Sequence, residues 1–583
     1  MRFSKTRRIL LFSRKRESIR YADCKWTIGG TALCFLTLGF AASCWSEQFA
    51  PPDAFEDNSG IAYYGSATAW DRRVFERADG SQYGRLGQKA LLHVLDGKPE
   101  EAVRLCEELI AKDPQDLESR FILVLARAQL KEISRALDAL QHALDAGLPF
   151  ERFQAGPREL FDPLYRTEKF RELAARHGRA LIHGPMLGAV TENSAKFWVR
   201  TATECEVQVI ASTSPGFESI IPSEKNRTSA ERDYTAVVSL CGVEPATQYH
   251  YRVHLNGKPA RGSETHLFRT APTAGSKVRF DVAFGGGANY CPTHERMWTT
   301  ILRRKPSAFL FLGDNVYIDL PEEAGPFHDY TYYRRQSRPE YRELIASTPI
   351  HAIWDDHDSA TNDSWLGPFR EKPSWKPSMW RLFENNWNNP SFGSPEWPGC
   401  WHRFTVGDVE FFMLDGRSYR THPEAPERAM LGPVQKQWLK EGLKSSTATF
   451  KVIASPVPWS FEAKESLDTW NGYREEREEL FAFLHENRIE GVILLSADRH
   501  RSDAWRIERA DGYPLYEFES SRLTNEHTHN LVPGALFGYN ETCSFGLLSF
   551  DTLQADPEVT YRIVGIDDEV KHALTVRRSN LAY

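Results

Sequence analysis

A chain of 583 residues is longer than one ordinary core accommodates, so several domains are expected. Hydrophobic residues make up 41% and charged residues 26%, as in soluble globular proteins. The formal net charge of -7 carries no basic bias of the kind that favours nucleic acid, so no nucleic-acid-binding surface is expected.

The chain opens on the basic stretch "MRFSKTRRILLFSRKRESIR", followed by the uncharged "WTIGGTALCFLTLGFAASCW" at residues 26–45. A basic lead, an apolar run and the small residues Ala41, Ala42 and Ser43 before Cys44 form the pattern of an export signal. About 20 apolar residues also suit an uncleaved membrane anchor. "AASC" faintly matches a lipoprotein cleavage box, although Ala41 stands where a larger aliphatic is usual. Residues 1–45 are therefore read as signal peptide or anchor, the location as periplasmic or extracellular, and membrane contact as confined to this segment.

Six cysteines follow Cys44, namely Cys106, Cys205, Cys241, Cys291, Cys400 and Cys543, and none forms a CxxC pair, which leaves a zinc-finger or thioredoxin-type reading without support. Cys205 and Cys241 share one β-rich stretch and could pair in an oxidising compartment, with isolated buried thiols as the commoner outcome.

Residues 46–84 show no sustained period and read as a linker or irregular cap. Residues 85–180 read as helical, since "GKPEEAVRLCEELIAKDPQD" and "KEISRALDALQHALDAGLP" place apolar residues at three- and four-residue steps. Ala102 and Ala136 stand in matching contexts, and Pro114 follows the first of them at a spacing that resembles the tetratricopeptide repeat. Scaffolding against a neighbouring domain is the favoured role, and a protein partner is the alternative. From 181 to 272 the period changes to two in "SAKFWVRT", "EVQVIAST", "YTAVVSL" and "YHYRVHLNG", the spacing of a β-sandwich, and "LCGVEPATQYHYRV" resembles fibronectin type III modules.

Between 275 and 565, apolar strands alternate with helical segments, the signature of a layered α/β fold. The strand candidates "VRFDVAF", "SAFLFL", "PIHAIW", "VEFFML", "FKVIAS" and "GVILLS" exit into "GGGANY", "GDNVYID", "DDHDSATND", "DGRSYR", "PVPW" and "ADRH". Open α/β sheets bind ligands beyond the carboxyl ends of their strands, so these exits are expected to converge. Asp314, Tyr317, Asp355, Asp356, His357, Asp358, Asn362, Asp498 and His500 all lie within a few residues of a strand end. Carboxylate, phenolate, amide and imidazole are hard or borderline ligands suited to di- and trivalent cations. Any one of them could merely cap a helix, but several independent strand exits carrying such groups point to a metal site.

"FLGDNVYID", "AIWDDHDSATND", "LDGRSYR", "LLSADRH" and "FESSRLTN" resemble the ordered motifs of the PhoD-like alkaline phosphatases, a branch of the metallophosphoesterases. The resemblance covers about half the chain. It implies a four-layered α/β/β/α metallophosphatase fold, here preceded by a fibronectin III-like sandwich and a short TPR-like helical region, and a multi-metal centre of iron with calcium. Carried over to this chain, Asp314 bridges metals, Tyr317 binds iron, Asn362 holds the second metal, and Asp498 and His500 complete the set. The resemblance gives catalytic roles to His357, Asp355 and Asp356, and to Arg417, or its neighbour Arg420, as a phosphate clamp suited to arginine.

Family members of the PhoD type end their first strand on an iron-ligating cysteine, whereas the matching position in "VAFGGGANY" is Gly287. Cys291 is the substitute thiol four residues on, with a bystander role favoured, and Asn289 could offer an amide oxygen. Loss of the soft ligand favours a harder divalent set, calcium first, over ferric iron. The implied reaction is hydrolysis of phosphate monoesters, small or polymeric, by metal-activated water in an in-line displacement. Two alternatives stand beside it: a phosphodiesterase acting on phospholipid or teichoic-type polymers, and a degenerate phosphatase that binds partners through its helices.

Overall fold

A computed structural model describes residues 73–78, 82–261 and 264–583. The expected export segment, residues 1–45, lies outside the described residues. Among the described residues, no helix is long and apolar enough to cross a membrane.

Four helices open the described chain: α1 (Tyr83–Leu95), α2 (Pro99–Lys112), α3 (Leu117–Gln129) and α4 (Ile133–Asp145). Ala102 and Ala136 are both fully buried between neighbouring helices, which explains why small residues recur there. Three shorter helices follow, α5 (Phe150–Ala155), α6 (Arg158–Tyr165) and α7 (Glu168–His177). Within the stretch expected to be linker, Arg73–Glu76 forms a helical turn whose Phe75 enters the same core, and α1 begins at Tyr83. That core is shared with Leu320, Phe327 and Tyr330 from the following α/β part, so these helices do not stand alone.

The alternating segment forms two facing sheets. β1 (Leu181–Gly188), β2 (Ser194–Thr201) and β4 (Thr235–Cys241) make one, while β3 (Glu206–Ser212), β5 (Gln248–Leu255) and β6 (His266–Arg269) carry the other. Phe197 and Tyr251 meet across the gap, ring centres 4.6 Å apart. This is not a separate module, because β1 runs parallel to a strand of the α/β part that follows, with Gly188 paired to Ile350, and the first sheet continues unbroken.

The six apolar runs become β7 (Arg279–Gly285), β8 (Ala308–Leu312), β9 (Ile350–Ile353), β11 (Val409–Met413), β12 (Phe450–Ala454) and β13 (Val492–Ser496), after β10 (His402–Val406) has paired antiparallel with β11. The remaining strands are β14 (Ser502–Ile507), β15 (Leu515–Ser520), β16 (Phe537–Tyr539), β17 (Ser544–Asp551), β18 (Glu558–Gly565) and β19 (Val570–Arg577). The nine-stranded sheet runs β19-β18-β17-β7-β8-β9-β1-β2-β4, and a seven-stranded one runs β10-β11-β12-β13-β15-β14-β16. Phe550 of the first packs on Phe411 and Phe450 of the second, so the sheets lie face to face. On the outer faces, Trp298 of α8 (Met297–Arg303) and Tyr341 of α10 (Pro339–Ser347) cover Phe311. Trp438 of α13 (Gly432–Ser445) covers Phe412. The layers are thus helix, sheet, sheet, helix. β19 lies beyond the expected domain end at 565, because it is a mostly exposed edge strand with little apolar alternation to announce it.

Cys205 and Cys241 do not pair, and isolated thiols, the commoner outcome, are what the fold holds. Among the described residues all six cysteines are free thiols, and Cys241 is exposed while Cys205 is buried.

Candidate metal centre

Strands β7, β8 and β9 pair in parallel, as do β11, β12, β13 and β15, so their carboxyl ends lie level at one edge of the stacked sheets. A cleft of about 660 Å³ opens there, walled by Asn289, Asp314, Tyr317, His357, Asn362, Asp363, Lys464, Asp498, Arg499, His500, Asn525, His527 and His529. All five residues expected to hold metal, Asp314, Tyr317, Asn362, Asp498 and His500, reach this one cleft together with His357.

Immediately after β8, Gly313 and Asp314 take left-handed backbone, and Asp498 and His500 do the same after β13, with φ of 53° at Asp314, 74° at Asp498 and 47° at His500. Non-glycine residues rarely adopt this region, and such strain concentrates where a side chain must be aimed. The Tyr317 hydroxyl donates to Asp314 Oδ2 at 2.8 Å and accepts from Asn525 Nδ2 at 2.7 Å, and His500 Nε2 lies 3.2 Å from it. Asp314 Oδ1 is buried with no hydrogen-bond partner among the described residues. Burial and the neighbouring carboxylates of Asp356, Asp355 and Asp358 hold Asp314 well above the usual carboxylate range, against the pull of His357. Burial and Asp314 hold the Tyr317 phenol up, and burial keeps His500 neutral. An orphaned carboxylate oxygen beside a phenol and a neutral imidazole is a donor set that fits a hard or borderline cation. Asp314, Asp356 and His357 also bring ligand atoms within 4.8 Å of one another.

The "WDDHD" motif divides its labour. Asp358 accepts from the backbone N–H groups of Asn315, Val316 and Asp355 at 3.2, 2.8 and 3.1 Å and so ties the two loops together. Asp356 accepts from the N–H groups of His357 and Asp363. Asp355 does not line the cleft. It caps the short helix α11 (Asp356–Ser359) and accepts from Arg417 Nε at 2.5 Å. Arg417, expected as a phosphate clamp, is fully buried and engages Asp355, the Ser364 carbonyl and both oxygens of Asp468, so it lies behind the cleft. Arg420 is spent on Asp468 and the Gly416 carbonyl. Both are held inward because three buried carboxylates, Asp355, Asp356 and Asp468, need their charge.

Arg499 faces the cleft instead. One guanidinium nitrogen engages Asp498, while Nε and Nη1 are buried without a partner among the described residues. The motif "ADRH" contains it between two ligand candidates, and that placement was the available signal. Asp319, the last residue of "GDNVYID", bonds Nδ1 of His357. His527 and His529 of "NEHTHN", a stretch whose lone histidines read as surface residues but which follows "FESSRLT" closely enough to border the pocket, stand beside His500 with ring centres 5.2 and 5.5 Å away, and burial and Arg499 push His529 down to about 3. Gly287, with φ of 65°, adjoins the centre: a side chain there would start 3.2 Å from the His500 ring and from Ser521 Oγ. Cys291 is no part of the cleft wall, and its Sγ lies 3.3 Å from Thr293 Oγ1.

Residues 282–533 match the family model of the PhoD-like phosphatases, and residues 178–272 match a domain model of unknown function. Alkaline phosphatase D of Bacillus subtilis (strain 168) is 23% identical over 334 residues, covering 49% of this chain and 56% of that protein, so the match spans little more than half the relative. Among solved structures, that of PhoD superposes with a TM-score of 0.56 at 20% identity over 67% of this chain and 88% of that one. The purple acid phosphatase PPD1 from yellow lupin (Lupinus luteus) seeds gives 0.51 at 11% identity, over 68% and 75%. At these identities the two superpositions establish the fold, a mixed α/β architecture of metallophosphatase type. With the strand exits and the cleft residues named above lying inside the matched segment, residues 282–533 carry a PhoD-like phosphatase domain.

Proposed function

We propose that the protein is a metal-dependent phosphoric ester hydrolase acting on phosphate monoesters. The observation that carries this reading is the meeting of Asp314, Tyr317, Asn362, Asp498 and His500 with His357 and Arg499 in one cleft. The first five would hold the cation, calcium by the hardness of the oxygen donors. Bound there, such an ion supplies positive charge for the phosphate oxygens and acidity for a water molecule.

The chain's own residues do the rest. Asp319 fixes the imidazole of His357 through Nδ1 and turns Nε2 the other way, and the ring stacks on Tyr317 at 4.5 Å. Burial opposes the imidazolium, but Asp319, Asp356 and Asp314 outweigh it and hold His357 well above its ordinary range. A protonated imidazole at the cleft wall can give its Nε2 proton to the leaving oxygen as the ester P–O bond breaks. The attacking water supplies the oxygen that joins phosphorus and the proton that restores His357. Arg499, with two unspent donors, suits a non-bridging phosphate oxygen. Export to the periplasm or exterior belongs to the same proposal and rests on the N-terminal sequence.

The test is an assay of calcium- or manganese-loaded protein with an aryl phosphate and an aryl phosphodiester at neutral to alkaline pH. Turnover of the monoester is expected. Loss of neither ester from a metal-replete sample refutes the enzyme reading and leaves the scaffold alternative.

A further inference from the structure

The helical region does more than abut the α/β part. Gln82 and Arg85, at the start of α1, line the cleft. α1 approaches unusually closely because two of its positions lack side chains. A Cβ at Gly84 would lie 2.7 Å from Asn289 Oδ1 and 3.0 Å from the Tyr290 carbonyl, and one at Gly87 only 2.2 Å from the Tyr330 hydroxyl. Glycine inside a helix costs about 1 kcal/mol relative to alanine, so two in one turn mark a packing demand. Between them Arg85 projects into the α/β part. The docked helix is also pinned by Arg334, which donates to the Gly84 carbonyl at 2.7 Å, and by Gln88, which donates to the Tyr317 carbonyl at 2.6 Å.

We propose that α1 is part of the active site and that Arg85 is a positioning residue, which orients His357 by holding the carboxylate between them. Arg85 bonds one oxygen of Asp319, and His357 Nδ1 bonds the other. Arg85 and Asp319 are almost wholly buried, at 5% and 1% side-chain exposure, so water does not compete for either bond. The guanidinium also sits 5.4 Å from the centre of the Tyr317 ring, on which His357 is stacked. Three side chains from two parts of the chain thus fix the plane of one imidazole. Arg85 touches neither leaving group nor phosphate in this role. Without it, Asp319 gains rotational freedom and His357 loses its aim.

The inference rests on the phosphatase reading and on proton donation by His357. Loss of that donation slows esters of poor leaving groups far more than esters whose leaving oxygen needs no proton. The experiment compares phenyl phosphate with 2,4-dinitrophenyl phosphate on metal-loaded full-length protein. Arg85→Gln is expected to lower kcat for phenyl phosphate about ten- to a hundredfold. It should leave kcat for the dinitrophenyl ester within about threefold and spare KM and metal content, with Arg85→Lys recovering part of the loss. In a His357→Ala background, Arg85→Gln should add little, since both act through one group. A uniform loss for both esters, or full additivity with His357→Ala, overturns the positioning role. So does a crystal structure of Arg85→Gln with the Asp319–His357 bond and ring plane unchanged. If the wild type turns over neither ester, the phosphatase reading itself falls, and the role of Arg85 in donation falls with it.

Discussion

Arg417 and Arg499 show how one residue type serves opposite ends at adjoining places. Arg417 neutralises Asp355 and Asp468 in a region closed to solvent, where removing one partner strands charges that cannot be rehydrated. Arg417→Ala is therefore expected to destabilise the fold by about 3 kcal/mol or more, seen as a fall in the unfolding midpoint of metal-free protein. Arg499 spends one nitrogen on Asp498 and keeps two donors unspent at the cleft wall. Arg499→Ala strands one carboxylate, Asp498, rather than two, so it should lower the metal-free midpoint less than Arg417→Ala does, yet raise KM for an aryl phosphate about tenfold or more, the worth of a lost charge-assisted bond. Steady-state kinetics beside thermal unfolding separates the two. If Arg417→Ala raises KM without loss of stability, the clamp is Arg417, and its burial does not describe the working enzyme.

At the scale of elements, the docking of α1 rests on an absence of atoms, which makes it open to a clean substitution test. Gly87→Ala improves helix propensity by about 1 kcal/mol but places a methyl group inside the Tyr330 hydroxyl's radius. Overpacking of a buried contact costs about 1–3 kcal/mol, so a lower unfolding midpoint is expected. Tyr330→Phe removes the offending oxygen, and the nearest ring carbon would then stand 3.4 Å away, so the double variant should recover most of the loss. Equal losses in single and double variants would place the strain elsewhere. This contact was illegible in the sequence, because "YGRLGQKALL" reads as a helix with two weak positions and nothing in its period says what the glycines face. The strands were legible for the converse reason. Runs such as "AFLFL" and "VILLS" are buried on both faces, and polar exits after each announce where the site must gather. The metal-ligand candidates could be named because their residue types carry chemistry at any distance. Asp319 and Arg85 were missed because the bond that joins them spans 234 residues of chain, and Arg499 because its role depends on which nitrogens the fold leaves unspent.

The molecule as a whole balances two sets of buried ionisable groups with opposite responses to pH. Burial keeps His328 and His402 neutral, each pushed down to about 4. A histidine with a depressed folded value favours the fold above its unfolded value near 6.5 and loses that contribution as pH falls towards 4. The carboxyl groups at the cleft behave in reverse. Burial and neighbouring acids raise Asp363 to about 7 and hold Asp314 well above its ordinary range. Their contribution is complete below about pH 4 and is lost as pH rises through the folded value. A divalent cation changes only the second set, since it binds deprotonated carboxylates and must displace their protons at low pH. The rise in unfolding midpoint on adding calcium to metal-free protein should therefore be small at pH 5 and grow steadily to pH 8. The acid-side loss from His328 and His402 should persist with metal present. Asp314→Asn should abolish the calcium-dependent rise without lowering the metal-free midpoint, because burial and the neighbouring acids already disfavour a charge at this position in the metal-free fold. A calcium effect that is flat across this range, or one that survives Asp314→Asn, would mean that the cation binds somewhere other than this cleft.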